Sequence, residues 1–303
     1  MGRSTTATGN YSTAMGGATT ASGTGSTAMG FETTASGYHS TAMGENTEAS
    51  GHRSTAMGRG TKASRDYSTA MGYETTASGG VSTAMGNTTK ASGDNSTAMG
   101  NNTTASGIVS TAMGISTEAS GSLSTAMGNY SKASDYGSLV IGQYNLSGSS
   151  ATSATTFNTA NTAFVIGNGA DTDNKADAFK VLFNGDTTIG NDLTVEGDVV
   201  VSSDARLKAN IVSLGATLAK LLLIDGKSYT MKKDGKQKIG VLAQDIQKVF
   251  PELVSTDDRD MLAVNYQGLV PVLINALKEQ DSKMKEQENR LERLEAIISK
   301  MDK

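Results

Sequence analysis

Cysteine and tryptophan are absent from this chain, and only two prolines and two histidines occur among its 303 residues. Without cysteine there is neither a disulfide nor a thiolate metal site. The two histidines, His39 and His52, fall at variable turn positions of successive repeats, a placement that disfavours a metal centre or a histidine-based catalytic triad. No cofactor and no metal are therefore expected. An excess of positive charge is also missing. Residues 1–142 carry 7 basic and 8 acidic side chains, 143–202 carry 2 and 7, and 203–303 carry 17 and 15. Such balances leave no nucleic-acid footprint. No long apolar run spans a membrane and no secretory or transit signal is visible, so no membrane insertion is expected. The repeat begins almost at residue 1, as in a chain trimmed at its N-terminus.

What the chain has in abundance is Ser-Thr-Ala-Met-Gly. It occurs at Ser12 to Gly16 and returns every fourteen residues, at 26, 40, 54, 68, 82, 96, 110 and 124. Halfway between runs a sister motif, Thr-x-Ala-Ser-Gly and close variants, starting at 19, 33, 47, 61, 75, 89, 103, 117 and 131. A fixed short period over this length marks a solenoid, in which each unit packs only on its neighbours. Glycine every seven residues and frequent threonine exclude a helical unit. A five-residue strand ending in Gly, followed by a two-residue turn, is predicted for each half.

Alternation assigns the faces of those strands. Ser12, Ala14 and Gly16 share one side, with Thr13 and Met15 opposite; Thr19, Ala21 and Gly23 share a side, with Thr20 and Ser22 opposite. The small residues are predicted to fill a thin, flattened roll. One outer wall reads Thr20, Thr34, Glu48, Lys62, Thr76, Lys90, Thr104, Glu118 and Lys132, a mixture suited to water. The other is always Thr and Met, and holds nine of the fourteen methionines. An apolar stripe of that length is larger than a soluble monomer usually leaves exposed. The expectation is that these walls meet along an oligomer axis; packing of Met inside a monomer core is the competing reading.

The repeat fades at Ser138-Leu-Val-Ile-Gly142. A Ser/Thr/Ala/Asn-rich stretch from Gln143 to Thr162 reads as an extended linker. Short apolar strands follow at Ala163, Ala178 to Asn184, Thr187 to Ile189 and Leu193 to Val201, and Asn184-Gly185 signals a hairpin. Pieces this small bury no core alone. They are expected to form a neck, over 143–202, whose strands pair or intertwine between chains.

From Ser203 the composition is that of a globular domain. Ser203-Asp-Ala-Arg-Leu-Lys-Ala-Asn-Ile211, Ile239-Gly-Val-Leu-Ala-Gln-Asp-Ile246, Phe250-Pro-Glu-Leu-Val254 and Val264-Asn-Tyr266 resemble the endosialidase-type intramolecular chaperone domain that ends many phage tail fibres and tailspikes. The resemblance covers 203–303. It implies a trimeric chaperone for an upstream β-fibre, removed afterwards by a serine–lysine dyad whose matching positions here are Ser203 and Lys208. The fourteen-residue repeat, over about 4–142, is similar to the head of YadA-like trimeric adhesins, which implies a left-handed parallel β-roll.

Chemistry supports such a dyad. A serine hydroxyl needs a base to take its proton. With no histidine in this domain lysine is the available base, and it must be neutral; burial or a neighbouring cation such as Arg206 would promote that. A spacing of five sets Ser203 and Lys208 on opposite faces of a strand and apart on a helix, so either a turn joins them or the lysine comes from an adjacent chain. The scissile bond is placed next to Ser203, within Val201-Ser-Ser-Asp204. Asp204 is given a secondary role, orienting the dyad or holding Arg206 and Lys208; Ser203-Asp204 also reads simply as a helix cap. Gly240, Gln244 and Tyr266 suit core packing at least as well as chemistry.

The C-terminal stretch carries heptads. Val270, Leu277, Met284, Leu291 and Ile298 take a positions; Leu273, Gln280, Gln287, Leu294 and Met301 take d. Two glutamines weaken an otherwise apolar coiled-coil seam, and a single amphipathic helix folded back on its own domain is the competing reading. Pro271 is tolerated only in a first turn, so the helix is predicted to begin near there and run over about 270–301.

The fold class expected is thus mainly β: a trimeric left-handed parallel β-roll with fourteen-residue coils over 1–142, a β-rich neck, and a small α+β chaperone domain over 203–303 ending in a trimeric coiled coil. The expected function is a homotrimeric tail fibre or surface adhesin that attaches to a cell-surface glycan or protein receptor. It would be made in the host cytoplasm and carried on a virion or extracellular surface. Turn aromatics Phe31, Tyr38, Tyr67, Tyr73 and Tyr130 are candidates for stacking on sugars. Two alternatives are an ice-binding solenoid, disfavoured by charges at five of nine outer-wall positions, and a polysaccharide depolymerase, disfavoured by turns too short for a paired-carboxylate cleft.

Overall fold

The computed structural model describes residues 2–146, 153–232, 234–257 and 260–301. It divides into two units, residues 1–197 and 198–303.

The first unit is a parallel β-solenoid. Each coil contributes a five-residue strand, such as Thr27–Phe31, and a two-residue strand, such as Thr34–Ala35. The long strands run in sequence order into one sheet and the short ones, from Thr6–Ala7 to Lys132–Ala133, into a second of ten strands. Register follows the repeat without slippage: Met71 lies between Met57 and Met85, and Ala77 between Ala63 and Ala91.

The two halves are not equivalent five-residue strands, as the motif similarity suggested. After Ala35, the N–H groups of Ser36 and Gly37 both point at the carbonyl of Ala49, at 3.0 and 3.2 Å. Sharing one acceptor turns the chain and stops the short ladder. In the longer half, Gly30 instead adopts φ +125, a conformation open to glycine, and carries the strand one residue further.

The faces are as alternation predicts. Ala28, Ala35 and their equivalents from Ala21 to Ala133 are fully buried, with the Ser26 and Thr19 rows beside them. The interior therefore contains no side chain larger than threonine until Val140 and Val165 close the end. The Met row lies outside this core and is partly exposed, with Met15 reaching 49%. The roll does not use methionine to fill its own interior.

The roll also extends further than the motif. Leu139–Gln143 is followed in the same sheet by Thr162–Asn168, in parallel register Val140 with Val165 and Gly142 with Gly167. Residues between them form an excursion, of which 147–152 lie outside the described residues. Asp135 anchors its return: the buried carboxylate accepts the Thr162 N–H at 2.8 Å. Asp177–Leu182 then adds antiparallel, and Thr187–Ile189 beyond it, through the hairpin in which Gly185 stands at φ +92. The strands expected to pair between chains thus pair within this one, because Phe164-Val-Ile offers the roll's open edge a matching apolar strand. Leu193 to Val201 forms no strand.

The second unit is small and α+β. Two antiparallel pairs, Lys227–Thr230 with Gln237–Gly240 and Val254–Thr256 with Leu262–Val264, accompany a helix over Ala243–Val249. Ile246, Phe250 and Val272 form its core, with Leu221, Ile224 and Leu253 packed around. A helix spans Leu269–Met301, and Pro271 sits in its first turn where no intrahelical N–H is needed. Val272 and Ala276 are its buried residues, while Thr217 donates its hydroxyl to the Val272 carbonyl at 2.9 Å. Glu279 accepts the N–H groups of Thr217 and Leu218 and so caps the short helix Leu218–Leu221. That inward face is distinct from the heptad seam: Leu277, Met284, Leu291, Leu294 and Ile298 are all exposed.

Candidate functional site

The stretch Val199 to Leu214 is exposed throughout, including Val200, Leu207, Ile211 and Val212. Within it Asp204 begins a single 3-10 turn, Ala205–Leu207. Its carboxylate accepts the Arg206 N–H at 2.8 Å, and Leu207 and Lys208 donate N–H groups to the carbonyls of Asp204 and Ala205. Lys208 then returns to extended backbone. One tight turn between two extended residues reverses the side-chain direction, and Lys208 Nζ comes to 2.7 Å from Ser203 Oγ. A turn within one chain, the first of the two routes the spacing allowed, is thus sufficient to bring the two side chains together.

Asp204 does not touch this pair. It is the cap, and it grips Arg206 through a two-pronged ion pair, Nη2 to Oδ2 at 2.7 Å and Nε to both oxygens at 3.1 Å. The side-chain hydrogen bonds from Arg206, and then its backbone N–H, hold the Asp204 carboxyl below the usual carboxylate range, and the same pairing raises Arg206. Arg206 is thereby engaged by Asp204 rather than aimed at Lys208. Both members of the serine–lysine pair are exposed in the single chain.

Gly240 and Tyr266 pack together. Tyr266 Oη accepts the Val241 N–H at 3.2 Å, and a Cβ on Gly240 would lie 2.7 Å from that hydroxyl and 3.2 Å from Tyr229 Oη. Gln244 lines the adjoining open cavity of about 490 Å³ with Tyr229, Met261 and Tyr266. These residues stand away from the serine–lysine turn in sequence and share none of its hydrogen bonds among the described residues.

The turn aromatics fall on two different edges of the roll. Tyr38 and Tyr67 occupy the edge that precedes each long strand; Phe31, Tyr73 and Tyr130 occupy the edge that follows it. On the first edge they keep company that the aromatic pattern alone missed. Tyr38 meets His39 edge-on at 4.1 Å and His52 at 6.1 Å, and Arg53 lies 5.5 Å from the centre of the Tyr67 ring. The fourteen-residue spacing of Tyr38 with His52, and of His39 with Arg53 and Tyr67, carried that information. Among the described residues no group of three or more histidine, aspartate or glutamate side chains is placed to hold a metal ion, and no helix is long and apolar enough to cross a membrane.

A parallel β-solenoid with fourteen-residue coils, followed in the chain by a small α+β unit whose first residues carry the serine–lysine contact, is the class of fold these residues define. Comparison with known proteins names both parts. Residues 1–19, 7–33, 21–47, 35–61, 49–75, 77–103 and 119–145 match the YadA head domain repeat, and residues 203–255 match the chaperone of endosialidase, classed as a peptidase family. The chain carries YadA head repeats followed by a chaperone-of-endosialidase domain. Similar curated proteins are long tail fiber proteins Gp37: that of Escherichia phage AR1 is 35% identical over 92 residues, 27% of this chain and 8% of its own length. That of Enterobacteria phage M1 is 32% identical over 99 residues, covering 29% of this chain and 39% of the relative. That of Salmonella phage S16 is 28% identical over 117 residues, covering 35% and 16%. The chain thus spans well under half the length of these relatives.

Proposed function

We propose that this chain is part of a homotrimeric tail fibre: a β-roll that attaches the particle to a surface receptor, and a C-terminal domain over 203–303 that aligns three chains during folding and is then released by its own serine–lysine chemistry. Similarity to phage long tail fibres supports the fibre reading and a virion location. A Met wall left outside the core and a heptad seam left exposed, at opposite ends of one chain, support association with further copies. The rungs Glu48–Lys62 and Glu118–Lys132, ion-paired at 3.9 and 3.1 Å, interrupt the threonines of the outer wall and weigh against an ice-binding surface.

The observation that carries the release step is the Lys208 Nζ to Ser203 Oγ contact at the first residue of the chaperone match. In this mechanism neutral Lys208 takes the Oγ proton while Oγ attacks the peptide carbonyl beside Ser203. Lys208 returns the proton to the departing amine, and water, deprotonated in turn by Lys208, hydrolyses the resulting ester. Protonated lysine can only donate to Oγ. Covering the exposed dyad in the assembled trimer would desolvate Lys208 and favour its neutral form, so that cutting waits for assembly. Asp204 serves as a positioning residue, setting the turn that brings the pair together.

A denaturing gel of wild type beside Ser203→Ala tests this. Wild type should yield fragments of about 202 and 101 residues and the variant only the full chain. An uncut wild type that sediments as a folded trimer would overturn the release step.

A further inference from the structure

Three successive turns on one edge of the roll form a two-by-three array. One column reads Tyr38, His52, Asp66 and the other His39, Arg53, Tyr67, each residue fourteen from the next. Adjacent rungs of a parallel sheet are ~4.8 Å apart, so the array extends about 10 Å along the roll, the reach of a disaccharide.

Its groups are held rather than loose. The His39 ring lies across Gly25 of the preceding coil, where any Cβ would collide with its Nδ1. Tyr38 stands edge-on to that ring at 4.1 Å. Arg53 is fixed over Tyr67, with Nη1 donating to Tyr67 Oη at 2.6 Å. Asp66, the acidic member, is engaged by the His52 backbone N–H at 3.1 Å. His39, Arg53 and Tyr67 also adopt φ of 52°, 53° and 59°, a left-handed backbone in which a Cβ is unfavourable. The same backbone recurs at this position along the edge, at Val81, Val109 and Leu123 among others, so it is a property of the coil that turns each of these side chains outward.

We infer that this edge, centred on Arg53 and flanked by Tyr38 and Tyr67, is a binding site for a surface saccharide bearing carboxylate or phosphate groups. The tyrosine rings offer apolar faces to pyranose C–H groups, Arg53 supplies a fixed cation, and the His39 and His52 imidazoles donate hydrogen bonds. The opposite edge provides the contrast: Arg59 there lies between Glu45, at 3.6 Å, and the ring of Tyr73, so its charge is met by a carboxylate. The inference rests on the attachment reading and gives it a ligand chemistry and a location.

The test uses the full chain, fluorescently labelled, on immobilised lipopolysaccharide-core and capsular oligosaccharides. Each is presented intact, carboxyl-reduced and dephosphorylated, which separates the two acidic sources. Intact acidic forms should bind at least tenfold better than their neutralised counterparts. Arg53→Gln and Tyr38→Ala should each lose tenfold or more, Arg53→Lys should lose less than Arg53→Gln, and Arg59→Gln on the other edge should bind as wild type. Unchanged thermal melts establish that the variants are folded. Equal binding of neutral forms, indifference to Arg53→Gln, or no saccharide binding by wild type each overturns the assignment. Adsorption to Escherichia and Salmonella cells distinguishes the levels. Wild type and Arg53→Gln adsorbing alike would remove this site but keep the attachment reading, whereas wild type adsorbing to no strain would remove both.

Discussion

Gly72 and Gly86 face one another in register on successive coils, and the space between them does not admit a Cβ. A methyl built on Gly72 would fall on the Gly86 carbonyl oxygen, and Gly72 itself stands at φ +119. Backbone strain of this kind costs about 1–3 kcal/mol before the collision is relieved. Gly72→Ala should therefore destabilise the roll by more than about 3 kcal/mol, read as a drop in thermal midpoint. Gly197→Ala, where a Cβ meets nothing within 4 Å, is the matched control and should leave it unchanged.

The interior tests the packing argument separately. Ala84 is fully buried in a lumen filled by alanine, serine and threonine. Ala84→Leu adds volume where facing walls have no slack, and should cost about 1–3 kcal/mol or more. Met71→Glu, on the outer wall, should leave the coil's own hydrogen bonding intact but dissociate the trimer, as measured by sedimentation of the roll. A monomeric wild type, or a Met71→Glu variant still trimeric, would refute the intermolecular role of that wall.

The turn at the dyad should respond to pH through Asp204. Its carboxyl is held low, chiefly by the Arg206 side chain. A depressed carboxyl contributes fully above the ordinary carboxylate pKa and loses its contribution as pH falls through the depressed value. The turn should therefore persist through mild acid and open only below the usual carboxylate range of about 4. Carbon-detected NMR titration of Ser203→Ala should show Asp204 titrating below that range, and Arg206→Gln should move it upward. Lys208→Ala should abolish cleavage, read on the same denaturing gel.

Glu279 caps the Leu218–Leu221 helix from 61 residues away in sequence through the Leu218 N–H. Glu279→Ala leaves two backbone donors without that acceptor and should destabilise the second unit by about 1–2 kcal/mol. Glu279→Gln, which keeps an acceptor, should lose less in a urea titration.

At the heptad seam, Gln280→Leu with Gln287→Leu replaces two polar d positions. The double variant should raise the thermal midpoint of the trimer, while Leu291→Lys should lower it. A monomeric helix would respond to neither, since its buried residues are Val272 and Ala276.

Ser-Thr-Ala-Met-Gly determines much by itself. Period sets the coil, alternation separates the Ala28 row from the Met29 row, and glycine excludes helices; these are local properties of the backbone and follow from residue order. The serine–lysine pair was likewise present as residue types at a fixed spacing. Tertiary structure decided what depends on who meets whom. It shortened the sister strand, because Ser36 and Gly37 compete for the Ala49 carbonyl across a coil boundary. Phe164-Val-Ile was drawn into the roll because the free edge beside Val140 lies twenty-five residues earlier. Arg206 was assigned to Asp204 instead of Lys208, and Tyr38 was gathered with Arg53 and Tyr67 on one edge. Each of those outcomes is a choice among partners, and a partner becomes available only when the solenoid stacks residues fourteen apart or a single turn folds five residues back on themselves.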